Sequence, residues 1–177
     1  ERTSFNSMLD AKNFIKEVGL THFLHDSYEE CIQYTIPELL RKVSIDLKTK
    51  NENFLSISFV HHYFSKPEFI EPNRKISILT PNMCKKRNLN YTVRLEVDVL
   101  EVLKNKNNEL IHSKLHKRVL LSDFPVMTKS SLCSWNRFNT KEMGECKMDP
   151  GGYFVINGNE RVLIAHEKMK GNQCYYF

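Results

Sequence analysis

The sequence comes nearest to a metal-dependent hydrolase at His166-Glu167-Lys168-Met169-Lys170. A zinc protease helix carries two histidines four residues apart. Both imidazoles then reach one ion from one helix face, and a glutamate beside the first serves as general base. Here Lys170 stands where the second histidine would be, so the clamp is broken and the segment reads as a polar strand end. His112 and His116 are also four apart, but they fall on an expected strand, where that spacing is too long to grip one ion. Cys133 and Cys146 have twelve residues between them, and neither belongs to a close cysteine pair of the kind that builds a zinc knuckle. No metal is expected within the chain.

Nucleotide chemistry fares no better. Gly151-Gly152 and Gly158 fit neither of the glycine-rich phosphate loops, and no compact aspartate cluster offers seats for two magnesium ions. Asp149 is the one carboxylate in a suggestive setting. Beside Gly-Gly its expected work is to turn or cap the chain. What remains is cationic: Lys85-Lys86-Arg87, then Lys114, Lys117 and Arg118, then Arg161, Lys168 and Lys170. Such clusters neutralise phosphates, or else form a solvated surface paired with nearby acids. They lack the aromatic interleaving of a single-strand platform. The net charge of +5 fits a nucleic-acid neighbour but is too mild to require one. The residues alone supply no self-sufficient active site.

The chain is long enough, at 177 residues, for one domain with a real core. Its 41% hydrophobic and 27% charged residues exclude disordered and fibrous classes. No apolar run approaches the roughly 20 residues of a membrane helix, and no membrane partner is expected. No secretory signal is visible, so an intracellular location is expected, with five reduced cysteines in place of a disulfide framework. The first residue is Glu and the last three are Tyr175-Tyr176-Phe177, which reads as a piece of a longer protein.

These residues must be positioned by an α+β fold. A helix is expected over 7–18, capped by Ser7, with Ala11, Phe14, Ile15 and Val18 on one face and Gly19 as its stop. A second is expected from Ser27, with Glu30 completing a capping box, and a third opened by Pro37, carrying Ile36, Leu39, Leu40 and Val43 inward. The part up to about residue 50 is thus helical and the part from about 54 to 177 mainly β, in a single domain spanning 1–177. Leu55, Ile57 and Phe59 alternate with serines, as in a half-wet strand. Residues 65–90 hold three prolines and read as an irregular connection. Tyr91, Val93, Leu95, Val97 and Val99 alternate cleanly, and the phase breaks at Val99-Leu100, where a bulge is expected. A turn at 104–109 leads to a return strand over 111–121, and 129–148 is irregular. The helices therefore come first and antiparallel strands afterwards.

The last element is the best defined. Asn157-Gly158 is a strong type I′ hairpin signal, because both central residues need positive φ. Its flanks, Tyr153-Phe154-Val155-Ile156 and Val162-Leu163-Ile164-Ala165, are apolar without alternation, so a hairpin buried on both faces is expected.

The wording of this stretch, DPGGYFVINGNERVLI, is similar to a signature of the second-largest subunit of multisubunit DNA-directed RNA polymerases, the family that includes the bacterial β subunit. Asp149, Gly151, Gly152, Tyr153, Phe154, Val155, Ile156, Asn157, Gly158, Glu160, Arg161, Val162, Leu163 and Ile164 fit it. Phe124 to Ser130 followed by Cys133 resembles the segment just upstream, and Arg87-Asn88-Leu89-Asn90-Tyr91 resembles the family's approach to a strand. Gly19-Leu20, Asp26-Ser27-Tyr28 and Ile36-Pro37 resemble its helical opening, and Gly171-Asn172 with Phe177 the close of the domain. The Gly-Gly-Tyr-Phe and the cysteine-bearing segment favour the eukaryotic, archaeal and viral branch. His166, where the family usually has Gln, and Cys31, where an aromatic is common, mark a diverged member.

The resemblance implies an N-terminal protrusion region on one wall of the DNA cleft. It implies magnesium-dependent nucleotidyl transfer by the assembled enzyme, with magnesium and catalytic residues outside this stretch. Its implied partners are the largest subunit, further polymerase subunits, DNA template and RNA product. The implied location is the nucleus, or the virion or host cytoplasm for a viral protein. The basic residues named above would face the nucleic-acid backbone, and 149–160 would be a structural motif. Two readings compete: a free binding module reusing the fold, and a hydrolase built on His166 and Glu167.

Overall fold

The computed structural model describes residues 13, 19–49, 53–107, 109–136, 144–146, 148–164, 166 and 168–174. The helix expected over 7–18 lies outside them except for residue 13, which is helical. Helix α1, His22–Glu30, begins well before Ser27, which is not its cap; Thr21 occupies that position. Beyond α1 the chain meets Pro37. This residue has no N–H, and its ring would strike the carbonyl four residues back in an unbroken α-helix. The chain instead takes an extra residue into the turn Cys31–Thr35, where the Ile36 N–H bonds the Cys31 carbonyl five residues away. Helix α2, Ile36–Lys42, then restarts with Pro37 in its first turn. Ile36 and Leu40 are half-buried, but Leu39 and Val43 face solvent, contrary to the expected apolar face.

The main sheet has four antiparallel strands. Strand β1, Ser44–Lys48, sits inside the part expected to be helical. Strands β2, Phe54–Phe64, and β5, Thr92–Lys104, pair over ten residues. Strand β6, Leu110–Pro125, runs longer at both ends than expected. Their order across the sheet is β1-β2-β5-β6. The β5–β6 register slips at Leu95/Glu96, at Val97/Val99 and at Leu103/Lys104, so the break in alternation is a set of bulges on either side of the expected position.

The stretch 65–90 is more ordered than its prolines imply. It holds a small hairpin, β3 (Glu68–Ile70) with β4 (Ile76–Ile78), and a short helix α3, Pro81–Arg87. Thr80 caps α3 by accepting from the Met83 N–H, and Pro81 sits where a missing N–H costs nothing. The Glu145 carboxylate takes the Asn82 N–H at 2.6 Å, so two orphan donors of the helix start are met. Asn88 ends the helix in the left-handed conformation.

The core lies at one end of the sheet. Leu79, Cys84, Tyr91, Val93, Val126, Cys133, Trp135, Tyr153 and Val155 form its main cluster. Tyr28 and Ile32 bring the helices onto Met127 and Phe154, and the Tyr28 hydroxyl donates to the Pro125 carbonyl at 2.7 Å. Cys84 and Cys133 are free, buried thiols, and burial pushes Cys84 up to about 12, which keeps it a protonated thiol.

Strands β7, Phe154–Ile156, and β8, Asn159–Arg161, form the expected hairpin, with Asn157 and Gly158 at φ 50° and 74°. Only its first half is buried. Asn159, Glu160 and Arg161 are exposed, and Val162, Leu163 and Ile164 are neither strand nor buried, Ile164 being 85% exposed. Leu163 and Ile164 line a groove with Phe23 and Leu24 of α1 but stay mostly exposed, so the expectation of two buried faces fails there.

The turn is hooked into the α3–β5 junction. Gly158 N–H bonds the Leu89 carbonyl at 3.1 Å, and Asn157 N–H bonds the Asn90 side chain at 2.7 Å. A Cβ on Gly158 would stand 2.9 Å from Asn88 Cα. Gly158→Ala therefore combines a left-handed φ with a backbone clash, and should lower the unfolding free energy in a urea melt by about 1–3 kcal/mol. Gly171→Ala, where a Cβ meets nothing within 4 Å, should stay within about 0.5 kcal/mol. Equal melts for the two variants would mean that the hook is dispensable.

Candidate nucleic-acid interface

Helix α3, not a loop, carries the first basic cluster, and the helix separates its members. Lys85 points inward. Its ammonium pairs with Glu160 at 2.6 Å, donates to the Tyr153 hydroxyl at 3.0 Å and lies 4.9 Å over the Tyr153 ring. Tyr153 in turn donates to Asp149 Oδ2 at 2.7 Å, while Asp149 Oδ1 accepts the Gly151 N–H at 2.8 Å. A lysine from α3 and three residues of the signature stretch thus close one network. Burial alone would lower the Lys85 pKa. The hydrogen bonds to Glu160 and Tyr153 outweigh it and hold the ammonium above the ordinary lysine range. Burial first, then Asp149, raises Tyr153, although Lys85 opposes them.

Gly151 and Gly152 prove to be packing glycines. Gly152 has φ +82°, and its Cβ would fall 3.0 Å from Thr21 at the head of α1. The Gly152 N–H bonds the Thr128 carbonyl, and the Thr128 N–H bonds the Tyr153 carbonyl. Phe154 meets Tyr28 edge-on at 5.7 Å. The motif is a knot of backbone pairing, with Asp149 as the turn-former its neighbours imply. Lys129, which the cluster pattern missed, lies 5.4 Å over Trp135 and donates to the Asp149 carbonyl. No spacing signal marks it, because Trp135 lies within the irregular segment and Asp149 beyond it.

The remaining cations divide by environment. Arg87 lies 5.9 Å over Phe69. Arg118 sits at a β6 bulge with φ +52°, 4.7 Å over Tyr63, and pairs with Glu96 at 3.3 Å. Asp98 fixes that bulge by accepting the Arg118 N–H at 2.9 Å and the Tyr63 hydroxyl at 3.0 Å. The Arg118 N–H is the chief reason its pKa is lowered. Lys114 lies opposite Glu101 in the ladder, but His116 takes that carboxylate at 2.9 Å. Lys86, Lys114, Lys117, Arg161 and Lys168 are exposed, with no ion pair among the described residues. Lys170 is also exposed. No hydrogen bond among the described residues joins the β6 trio to the α3 trio.

His166 is exposed, and Glu167 lies outside the described residues. Among the described residues no group of three or more His, Cys, Asp or Glu could hold a metal ion, and no helix is long and apolar enough to cross a membrane. The hydrolase reading thus turns on a residue outside the described ones.

Comparison with known proteins gives the arrangement a context. A family model described as RNA polymerase beta subunit matches residues 19–174. DNA-directed RNA polymerase II subunit 2 of Arabidopsis thaliana is 34% identical over 93% of this chain. The RPB2 subunit of Encephalitozoon cuniculi is 29% identical, and a probable RPB2 homolog of Invertebrate iridescent virus 3 is 27% identical, each again over 93% of the chain. The chain spans 15% of the length of each of these relatives.

The Lys85 network predicts a pH signature. A lysine whose pKa is raised by folding contributes stability fully below its unfolded pKa, about 10.4, and loses it as pH rises through the folded value. Lys85→Met should cost about 1–2 kcal/mol, the lower part of the range for charged hydrogen bonds because Glu160 is 56% exposed. The deficit should stay constant from neutral pH to the ordinary lysine pKa and narrow above it. Chemical denaturation of both proteins across that range is the check; a deficit that vanishes near neutrality would contradict the network.

Proposed function

The chain belongs to the RNA polymerase beta subunit family, and on that premise we propose that it forms part of the DNA-cleft wall in the second-largest subunit of a multisubunit DNA-directed RNA polymerase. The observation that carries this reading is the family match over nearly the whole described chain. The signature motif then acts as architecture: Asp149, Tyr153 and Glu160 are engaged with Lys85 and with the backbone, leaving no nucleophile, acid or base aimed at a ligand.

The chemistry of the assembled enzyme is template-directed nucleotidyl transfer, supplied by magnesium. Among the described residues no group of three or more His, Cys, Asp or Glu could hold that ion; in this reading its seat lies elsewhere in the assembly, and no step is routed through this chain. By itself the chain is inactive. Its partners are the largest subunit, other polymerase subunits, DNA template and RNA product. Its location is intracellular: the nucleus, or the virion and host cytoplasm if the source is a virus. A free binding module is the weaker alternative, since each of these relatives is a polymerase subunit or a probable homolog of one.

Within this reading the nine basic candidates are unequal. Lys85 is committed inside the fold and Arg118 is shared with Glu96. Lys86, Lys114 and Lys117 are better placed for phosphates, being exposed without ion pairs among the described residues. Each Lys→Ala change at a position in phosphate contact should flatten the dependence of log K on log salt by about 0.9 for duplex DNA. Fluorescence anisotropy across a salt series reads this directly. Lys85→Met should leave the slope unchanged. Unchanged slopes for all three exposed lysines would remove these clusters from the nucleic-acid face.

A further inference from the structure

Asn157-Gly158 is the only asparagine–glycine pair in the chain. Asparagine is a labile residue, and a glycine after it makes it most so, because no Cβ hinders the glycine nitrogen. That nitrogen attacks the asparagine Cγ. A new N–C bond closes a five-membered imide ring, the Cγ–Nδ2 bond breaks, and ammonia leaves. Water then opens the ring to give aspartate or isoaspartate. The reaction needs water alone and is neither an oxidation nor a reduction.

The fold sets its geometry against this step. Ring closure needs the Gly158 nitrogen eclipsed with Asn157 Cβ across the Cα–C bond. Asn157 and Gly158 have φ 50° and 74°, the left-handed pair of a type I′ turn, in which ψ of the first central residue is about +30 to +50°. That rotation sets the nitrogen nearly opposite Cβ, so the peptide unit joining 157 and 158 must swing through almost half a turn before it can react. Both ends of the unit are held. The Gly158 N–H donates to the Leu89 carbonyl at 3.1 Å, and the Asn157 carbonyl accepts from Asn159 Nδ2 at 3.2 Å. The Asn157 N–H donates to the Asn90 side chain at 2.7 Å. Gly158 is also wedged against the α3–β5 junction: a Cβ there would stand 2.9 Å from Asn88 Cα and 3.2 Å from the Lys85 carbonyl oxygen. Water is not kept away, since Asn157 is exposed. The brake is conformational.

We propose that Asn157-Gly158 is a latent site of spontaneous deamidation, kept closed by the hook onto Leu89 and Asn90 and exposed when the hairpin opens locally. The isoaspartyl product undoes the hook. It carries an extra methylene in the main chain, so the two-residue turn no longer spans Ile156 to Asn159 and the Gly158 N–H loses its alignment with Leu89. The modification therefore accumulates in chains whose hairpin is loose and spares those in which it is docked. This inference rests on the hook alone and not on the cleft-wall reading.

The test follows Asn157 by peptide mass spectrometry during incubation of the 177-residue chain at mildly alkaline pH, in buffer and in guanidinium chloride above its unfolding midpoint. Deamidation should be at least about tenfold slower in buffer, because it proceeds only through the opened fraction. Asn90→Ala removes the acceptor of the Asn157 N–H at an exposed position. It should speed deamidation in buffer about fivefold, the worth of one hydrogen bond, and leave the rate in guanidinium unchanged. Amide spectra report whether the variant is folded; if it is not, the two rates of the native chain decide. The isoaspartyl chain, separated chromatographically, should have lost hydrogen-exchange protection at Gly158. Equal rates in buffer and in guanidinium would overturn the proposal, as would a folded Asn90→Ala that deamidates no faster than the native chain, or an isoaspartyl chain whose Gly158 amide stays protected.

Discussion

The placement of Tyr91 is the constraint on which the rest of this structure depends. Its N–H bonds the Val155 carbonyl at 2.8 Å, and its carbonyl accepts the Val126 N–H at 2.9 Å. One residue thereby sits between β7 and the chain leaving β6. Its fully buried side chain extends the stitch to a third segment: the hydroxyl accepts the Ser134 N–H at 2.9 Å, lies 3.0 Å from Ser134 Oγ and donates to Cys133 Sγ at 3.3 Å. Burial drives this hydroxyl above the ordinary tyrosine range, so it stays a neutral donor and acceptor. With Tyr91 placed, the Gly158 hook onto Leu89 and the pairing of Thr128 with Tyr153 fall into line as neighbouring bonds of the same ladder.

That arrangement explains how a motif dense in functional-looking residues can lack chemistry. Asp149, Tyr153, Glu160 and Lys85 satisfy one another, and a carboxylate or lysine so engaged is a poor acid, base or electrostatic catalyst for an external ligand. The exposed charge of the chain lies elsewhere, on the outer face of α3 and along β6. The Asp98-held bulge sets the direction of Arg118.

Local signals were legible where one short stretch carried its own physics. Asn157-Gly158 announced the hairpin, and Tyr91 to Val99 announced the central strand through alternation alone. Thr80-Pro81 carried a helix-start signal that the nearby prolines concealed. Pro37 marked a discontinuity, but not that the chain would absorb it by widening one turn. Burial was less legible. Periodicity says which residues share a face, not whether anything covers that face. Val162 to Ile164, Leu39 and Val43 have core composition, yet they face outward among the described residues. The basic clusters were visible as composition, but their partners come from distant segments: Glu160 lies beyond β5 and β6 in the chain from Lys85. Sequence spacing carries no trace of such meetings.

The central claim is that the signature stretch is a structural staple fixed by Tyr91. Amide hydrogen exchange on the native protein and on Tyr91→Phe, which removes only the hydroxyl, tests it most directly. The account predicts that the Tyr91, Val126, Thr128 and Tyr153-linked amides are among the slowest to exchange in the native protein. It also predicts that losing the hydroxyl accelerates Ser134 and, through the shared ladder, Thr128, Gly152 and Gly158 as well. Faster exchange confined to Ser134, with the hairpin amides unchanged, would contradict it.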